Sequence, residues 1–141
     1  MIRQTRCLAL LGVLFCGVAQ ASSGGFEFSL VGGDLGKMDP DSEPPRYRIK
    51  IAPGQTITLV ARGMAYPRGG APGPLEPDAG AWLFDDAVFQ LVPHEKKAFD
   101  KTQVVTSLKA LKAGTTKVRF VGNVLGYDRK CEIVIDVVEK K

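Results

Sequence analysis

Histidine is all but missing from this 141-residue chain, with His94 its one copy. An imidazole-based metal centre therefore lacks a second ligand. A Ser–His–Asp set would require His94 to leave the charged loop Val92-Pro93-His94-Glu95-Lys96-Lys97. Methionine is scarce too, at three, and Met38 and Met64 lie far from His94 in sequence, so the clustered ligands of a copper carrier are lacking. Asp85 and Asp86 are adjacent, so on a strand they point to opposite faces and cannot work as a carboxylate pair. In a turn they lack the alternating oxygen ligands of a calcium loop. The expectation is a non-enzymatic protein with no catalytic residue, no metal and no cofactor.

Long apolar runs are missing too. The longest, Cys7 to Val18, is twelve residues and falls short of the ~30 Å hydrocarbon core of a bilayer. It follows Arg3 and Arg6 and precedes Ala19-Gln20-Ala21, a small-x-small site, so residues 1–21 read as a removed signal peptide. This predicts a periplasmic or secreted protein beginning at Ser22. Lipidation at Cys16 is disfavoured because Phe15 stands where a small residue is required. Of three cysteines, Cys7 and Cys16 leave with the signal, and no internal disulfide can form. The remaining Cys131 shares a strand face with Ile133, Ile135 and Val137, which predicts a buried thiol.

Charge of one sign is also modest. The formal charge is +4, and losing Arg3 and Arg6 brings it to +2, which gives no reason to expect a nucleic-acid partner. The distribution is uneven. Residues 22–45 carry five acids and one lysine, whereas 94–141 carry eleven Lys/Arg and six acids. Arg46, Arg48, Lys50, Lys117 and Arg119 share one strand face with Glu132 and Asp136, which reads as a mixed, solvated surface.

What the mature chain has is period-two alternation. Phe26, Phe28 and Leu30 alternate with polar residues, as do Tyr47, Ile49 and Ile51, and then Ile57, Leu59 and Ala61. Further apolar pieces cover 82–84, 87–92, 103–111, 117–121 and 130–138. Seven or eight short strands with one dry face each predict an antiparallel two-sheet sandwich. Two stretches interrupt it. Residues 32–45 (GGDLGKMDPDSEPP) read as a flexible acidic Gly/Pro crossing, and residues 64–80 (MAYPRGGAPGPLEPDAG) as a seventeen-residue loop.

Ser107 to Val118, with its Ala113-Gly114-Thr115 corner, and the closing strand Cys131 to Val138 resemble bacterial immunoglobulin-like (Big-type) domains. Trp82, one strand after Gly54-Gln55-Thr56-Ile57-Thr58-Leu59, stands where such folds place a core tryptophan. The resemblance covers about residues 46–139 and implies an immunoglobulin-like sandwich over 46–141. In scaffold alone the chain is also similar to chagasin-like inhibitors of papain-type cysteine proteases. Met64 to Gly70 and Gly126-Tyr127-Asp128-Arg129 do not match the reactive loops of those inhibitors.

Strands that alternate in direction send their connections to alternate ends. On that parity the connections 64–80, 93–102 and 122–129 gather at one end, opposite the turns at Asp85-Asp86 and Lys112–Thr115. The gathered end would present Tyr66, Arg68, Phe99, Tyr127 and Arg129, and Tyr and Arg are enriched at binding hot spots. The expected function is binding of a protein or cell-envelope polymer there, without a membrane span.

Overall fold

The computed structural model describes residues 21–139, so the signal segment, apart from Ala21, lies outside the described residues. Alternating apolar residues build nine strands. They are β1 (Ala21–Leu30), β2 (Arg46–Ile51), β3 (Thr56–Pro67), β4 (Gly73–Pro74), β5 (Ala79–Leu83), β6 (Phe89–Val92), β7 (Gln103–Ala110), β8 (Gly114–Val124) and β9 (Tyr127–Val137). One sheet has the order β1-β3-β7-β6, with β4 alongside β3; the other has the order β2-β9-β8-β5. The two close on each other as a sandwich. A 3-10 turn, Lys96–Ala98, interrupts the β6–β7 connection.

Two features depart from a purely antiparallel sandwich of seven or eight strands. The count is nine because β4 is a two-residue addition against Met64 and Ala65. In addition, β2 pairs with β9 in parallel, from Arg46↔Glu132 to Ile51↔Val137. The crossing from β1 to β2 is the cause. Both strands run in the same direction, so residues 31–45 must travel back along the sandwich. They are anchored on the way, since Leu35 is 5% exposed and belongs to the core.

Inward-facing residues from both sheets form one core around Leu59, Leu108, Phe89, Phe120, Ile133 and Ile135, all fully buried. Phe120 is its centre. Its ring meets Phe26 at 4.7 Å, Phe28 at 5.4 Å and Trp82 at 5.0 Å between centroids, all tilted or edge-on, the geometry that aromatic quadrupoles favour. Space for this cluster depends on absent side chains: a Cβ on Gly122 would lie 2.7 Å from both Phe120 and Phe26. Cys131 is buried on the inner face of β9, as the alternation implies. Burial pushes its thiol up to about 12.

Trp82 also crosses between the sheets. The Val104 carbonyl lies on β7 of the facing sheet, in register with Ala61 of β3. Trp82 Nε1 donates to that oxygen at 2.9 Å. Trp82→Ala should therefore cost ~3 kcal/mol or more in a denaturant melt. Trp82→Phe should cost about 1 kcal/mol, because it keeps most of the ring area and loses the hydrogen bond. The buried Cys131 should resist thiol reagents in the native protein and react on addition of denaturant, as followed by mass spectrometry.

Candidate functional site

The last residues of β3 and β8 and the first of β9 define one end of the sandwich. β3 does not stop at Ala61. It continues to Pro67, paired with β1 as far as Ala21↔Pro67, so the expected loop at 64–80 narrows to the stretches around β4. The expected long connection 122–129 is likewise replaced. β8 and β9 stay paired to Val124↔Tyr127, leaving only Leu125-Gly126 as a hairpin turn. Both turn residues have positive φ, 54° for Leu125 and 81° for Gly126, as a two-residue turn matched to strand twist requires. Gly126 adopts this freely; Leu125 pays for it, because a Cβ in the left-handed region costs about 1 kcal/mol or more.

The ends gather as the parity of connections implies. Asp78 N–H donates to the Asn123 carbonyl at 2.8 Å, tying the approach to β5 to the hairpin. Gly63 N–H donates to the Thr102 carbonyl at 2.8 Å, and Lys101 lies 3.9 Å from Glu76, bringing the end of the 93–102 connection to the same region. At the opposite end, Gly54 N–H donates to the Ala110 carbonyl and Leu111 N–H to the Val88 carbonyl. Asp85 is a turn-former there, its carboxylate accepting from Ala87 N–H at 2.9 Å. Gly114, at the corner before β8, takes φ 142°.

Three of the five expected site residues come together. Arg129 Nε donates to the Gly24 carbonyl on β1 at 3.1 Å, and its guanidinium lies 4.9 Å from the Tyr127 ring centre, a cation–π contact. Tyr66 lies over Gly25, where a Cβ would sit 3.0 Å from the ring. Burial and then Glu27 raise the Tyr66 hydroxyl above its ordinary value, and nearby Arg129 acts in the opposite direction. Arg68 is exposed in the turn after β3. Phe99 packs edge-on against His94 at 5.6 Å, within the β6–β7 connection. His94 is thus half-buried against an aromatic ring rather than a bare loop residue.

Leu125 was not among the expected residues, and it is an exposed apolar group on the hairpin tip. It is 41% exposed beside Tyr127 at 40%. The detectable signal was a residue-Gly pair between two alternating runs; leucine in place of asparagine or aspartate hid it. Below the hairpin, a shallow concavity of about 390 Å³ opens on the outer side of the second sheet, floored by Ala79, Ala81, Val121 and Gly122.

The outer face of that sheet carries the strongest electrostatic feature. Glu132 points outward yet is only 5% exposed. Arg46 Nε approaches its carboxylate at 2.7 Å, Arg119 Nε at 3.4 Å and Lys117 Nζ at 3.7 Å. Burial acts to raise this carboxyl, but the Arg46 hydrogen bond, the Lys117 charge and the Arg119 hydrogen bond together hold it below its ordinary 4.5. Asp136 is held down in the same direction by the two-pronged Arg48 contact at 2.8 and 3.0 Å and by the Thr115 hydroxyl. Among the described residues, no three His, Cys, Asp or Glu side chains group as metal ligands, and no helix is long and apolar enough to cross a membrane. No family model matches the chain, and no curated protein or solved structure matches it.

A depressed carboxyl contributes stability above its unfolded-state pKa and loses it as pH falls through the lower folded value. Glu132→Gln should therefore lower stability by about 1–3 kcal/mol at pH 7, the scale of hydrogen bonds to charged groups. The gap should shrink progressively as pH drops below 4.5, as measured by urea melts of both proteins across that range.

Proposed function

We propose that this chain is an exported, non-catalytic binding domain of immunoglobulin-like type that engages a protein partner through the β8–β9 hairpin and the strand ends beside it. One observation supports the reading above the others: an exposed leucine held at positive φ on the hairpin tip, next to an exposed tyrosine with an arginine over its ring. A fold that gains nothing from Leu125 would favour Asn-Gly or Asp-Gly at this turn. An apolar side chain kept there against its backbone preference is the kind of local strain that concentrates at functional sites. Tyr and Arg are the anchors that interfaces most often use, and Tyr127 and Arg129 stand together at this tip. Export rests on the pattern of residues 1–21, with its basic start, short apolar centre and Ala-Gln-Ala end.

The tip and the opposite end are tested against each other. A photo-crosslinking side chain at position 125 should yield a discrete protein adduct in cells, and the same group at Lys112 should yield none. Equal adducts, or none at position 125, would overturn the reading. Once the partner is purified, Tyr127→Ala and Arg129→Ala should each weaken binding by ~1–2 kcal/mol. Leu125→Asn should do the reverse of most site mutations, stabilising the fold by ~0.5–1 kcal/mol while weakening the complex. Submicromolar inhibition of papain-type proteases would replace this reading with the inhibitor one.

A further inference from the structure

The six cations on the outer face of β2, β9 and β8 form a surface that the hairpin reading does not use. Arg46, Arg48 and Lys50 project from β2, Lys117 and Arg119 from β8, and Lys130 from β9. Strand register places Arg46 and Arg119 on either side of Glu132, and Arg48 and Lys117 on either side of Val134. Two columns of cations thus flank β9, separated by two strand spacings, about 9–10 Å. Within each column the charges repeat every second residue, about 6.6–6.8 Å.

The balance of charge is lopsided. Residues 21–139 contain fifteen Lys/Arg and fifteen Asp/Glu and are formally neutral. The paired part of this face holds six cations against Asp128, Glu132 and Asp136, a net +3, so the remainder carries −3. Glu132 and Asp136 are held by their partners at 7 and 17% side-chain exposure, whereas Arg46, Arg48, Lys117 and Arg119 keep between 40 and 65% of their side-chain surface exposed. Asp128 stands at the hairpin end of the face, bonded to Asn123, and further acids border it, with Asp39 bridged through its backbone to Arg46, Glu43 near Lys130 and Asp85 closing its turn.

We infer that this face binds a linear acidic polysaccharide, its carboxylates meeting the cation columns of β2 and β8. Charge complementarity and a repeat along the strands call for a partner whose negative charge also repeats along a chain. The face carries no aromatic side chain on which bases could stack, which disfavours a single-stranded nucleic acid. It also lacks a row of protruding large apolar groups to enter a bilayer: Val134 is 6% exposed, the others toward the hairpin are alanine and valine, and Leu83 stands alone at the β5 edge. Leu125 and Tyr127 are not involved, so this inference stands or falls apart from the hairpin reading.

Polygalacturonate is a suitable probe, with its fully methyl-esterified form as the uncharged control. The wild-type protein should bind the acidic polymer and not the ester, losing on the order of tenfold to a hundredfold in affinity between about 50 and 200 mM salt. The combined variant Arg48→Gln, Lys50→Gln, Lys117→Gln, Lys130→Gln spares Arg46 and Arg119, which bond Glu132. It should keep a native circular-dichroism spectrum and bind at least about tenfold more weakly. Leu125→Asn should bind the polymer as the wild type does. Equal binding of acid and ester, no binding at low salt, or an unchanged affinity in the folded variant would overturn the proposal. So would tighter binding to phosphatidylglycerol vesicles or to single-stranded DNA. The wild-type comparisons decide the matter even where the variant fails to fold.

Discussion

The ring of Phe120 is the contact on which the rest of the sandwich depends. It is fully buried and meets aromatic rings from both sheets, Phe26 and Phe28 from one and Trp82 from its own. Protein interiors have no spare volume, so a ring of this size at the centre dictates what its neighbours can be. Gly80 and Gly122 flank it on β5 and β8; a Cβ on Gly122 would lie 2.7 Å from the ring, and one on Gly80 would lie 2.8 Å from Val104 and 3.2 Å from the ring. With those positions bare, β1 approaches β8 closely enough for Gly24 to lie against Val124, and Arg129 can reach across to the Gly24 carbonyl. The clamp at the hairpin end is therefore a consequence of packing one strand-pair further in.

That clamp explains how Leu125 can be held in an unfavourable conformation. A strained residue persists only where its surroundings over-determine it. Here, eleven ladder pairs between β8 and β9 lead up to the turn and leave it two residues in which to reverse. Asp78 is bonded to Asn123 on one side, and Arg129 is bonded to β1 on the other. The strand ends are fixed, so the turn must supply positive φ at both positions whatever the side chain. Rigid presentation of an apolar tip reduces the ordering cost of docking it.

How much of this was legible in the sequence follows from which constraints are local. The strands were legible because a half-buried strand writes its two faces into alternate residues, as in Phe26-Glu27-Phe28 or Cys131-Glu132-Ile133. Burial of Cys131 followed from the same alternation, and the inward Trp82 was implied by the resemblance to immunoglobulin-like domains. The parallel pairing of β2 with β9 was not legible, since partners such as Arg46 and Glu132 are far apart in sequence and no local pattern encodes them. Residues 64–67 fell in the expected loop 64–80 because that stretch is rich in proline and glycine, and Gly63 just before it is also a usual strand breaker. Gly63 is instead needed by close packing, its would-be Cβ meeting the Leu75 carbonyl, and Pro67 falls at the strand's last position, where a missing donor matters little. Among the candidate site residues, Tyr66, Tyr127 and Arg129 were placed by parity alone. Parity states which end a connection reaches and not which neighbour a side chain meets, so Phe99 turned to His94 instead.

The electrostatics of the second sheet follow from the same reasoning about central and edge positions. β9 is the middle strand over its second half, with β2 and β8 on either side, so an outward side chain there is shielded by both neighbours. A carboxylate in that position must be satisfied by what flanks it. Glu132 is satisfied by cations from β2 and β8 at once. The reverse placement, cations on β9 and acids at its flanks, would bury the cations and expose the acids. Putting the acids in the middle leaves the long arginine and lysine stems to cover Val134 while their heads remain in water. The face is held together by its acids and presented to the outside as positive.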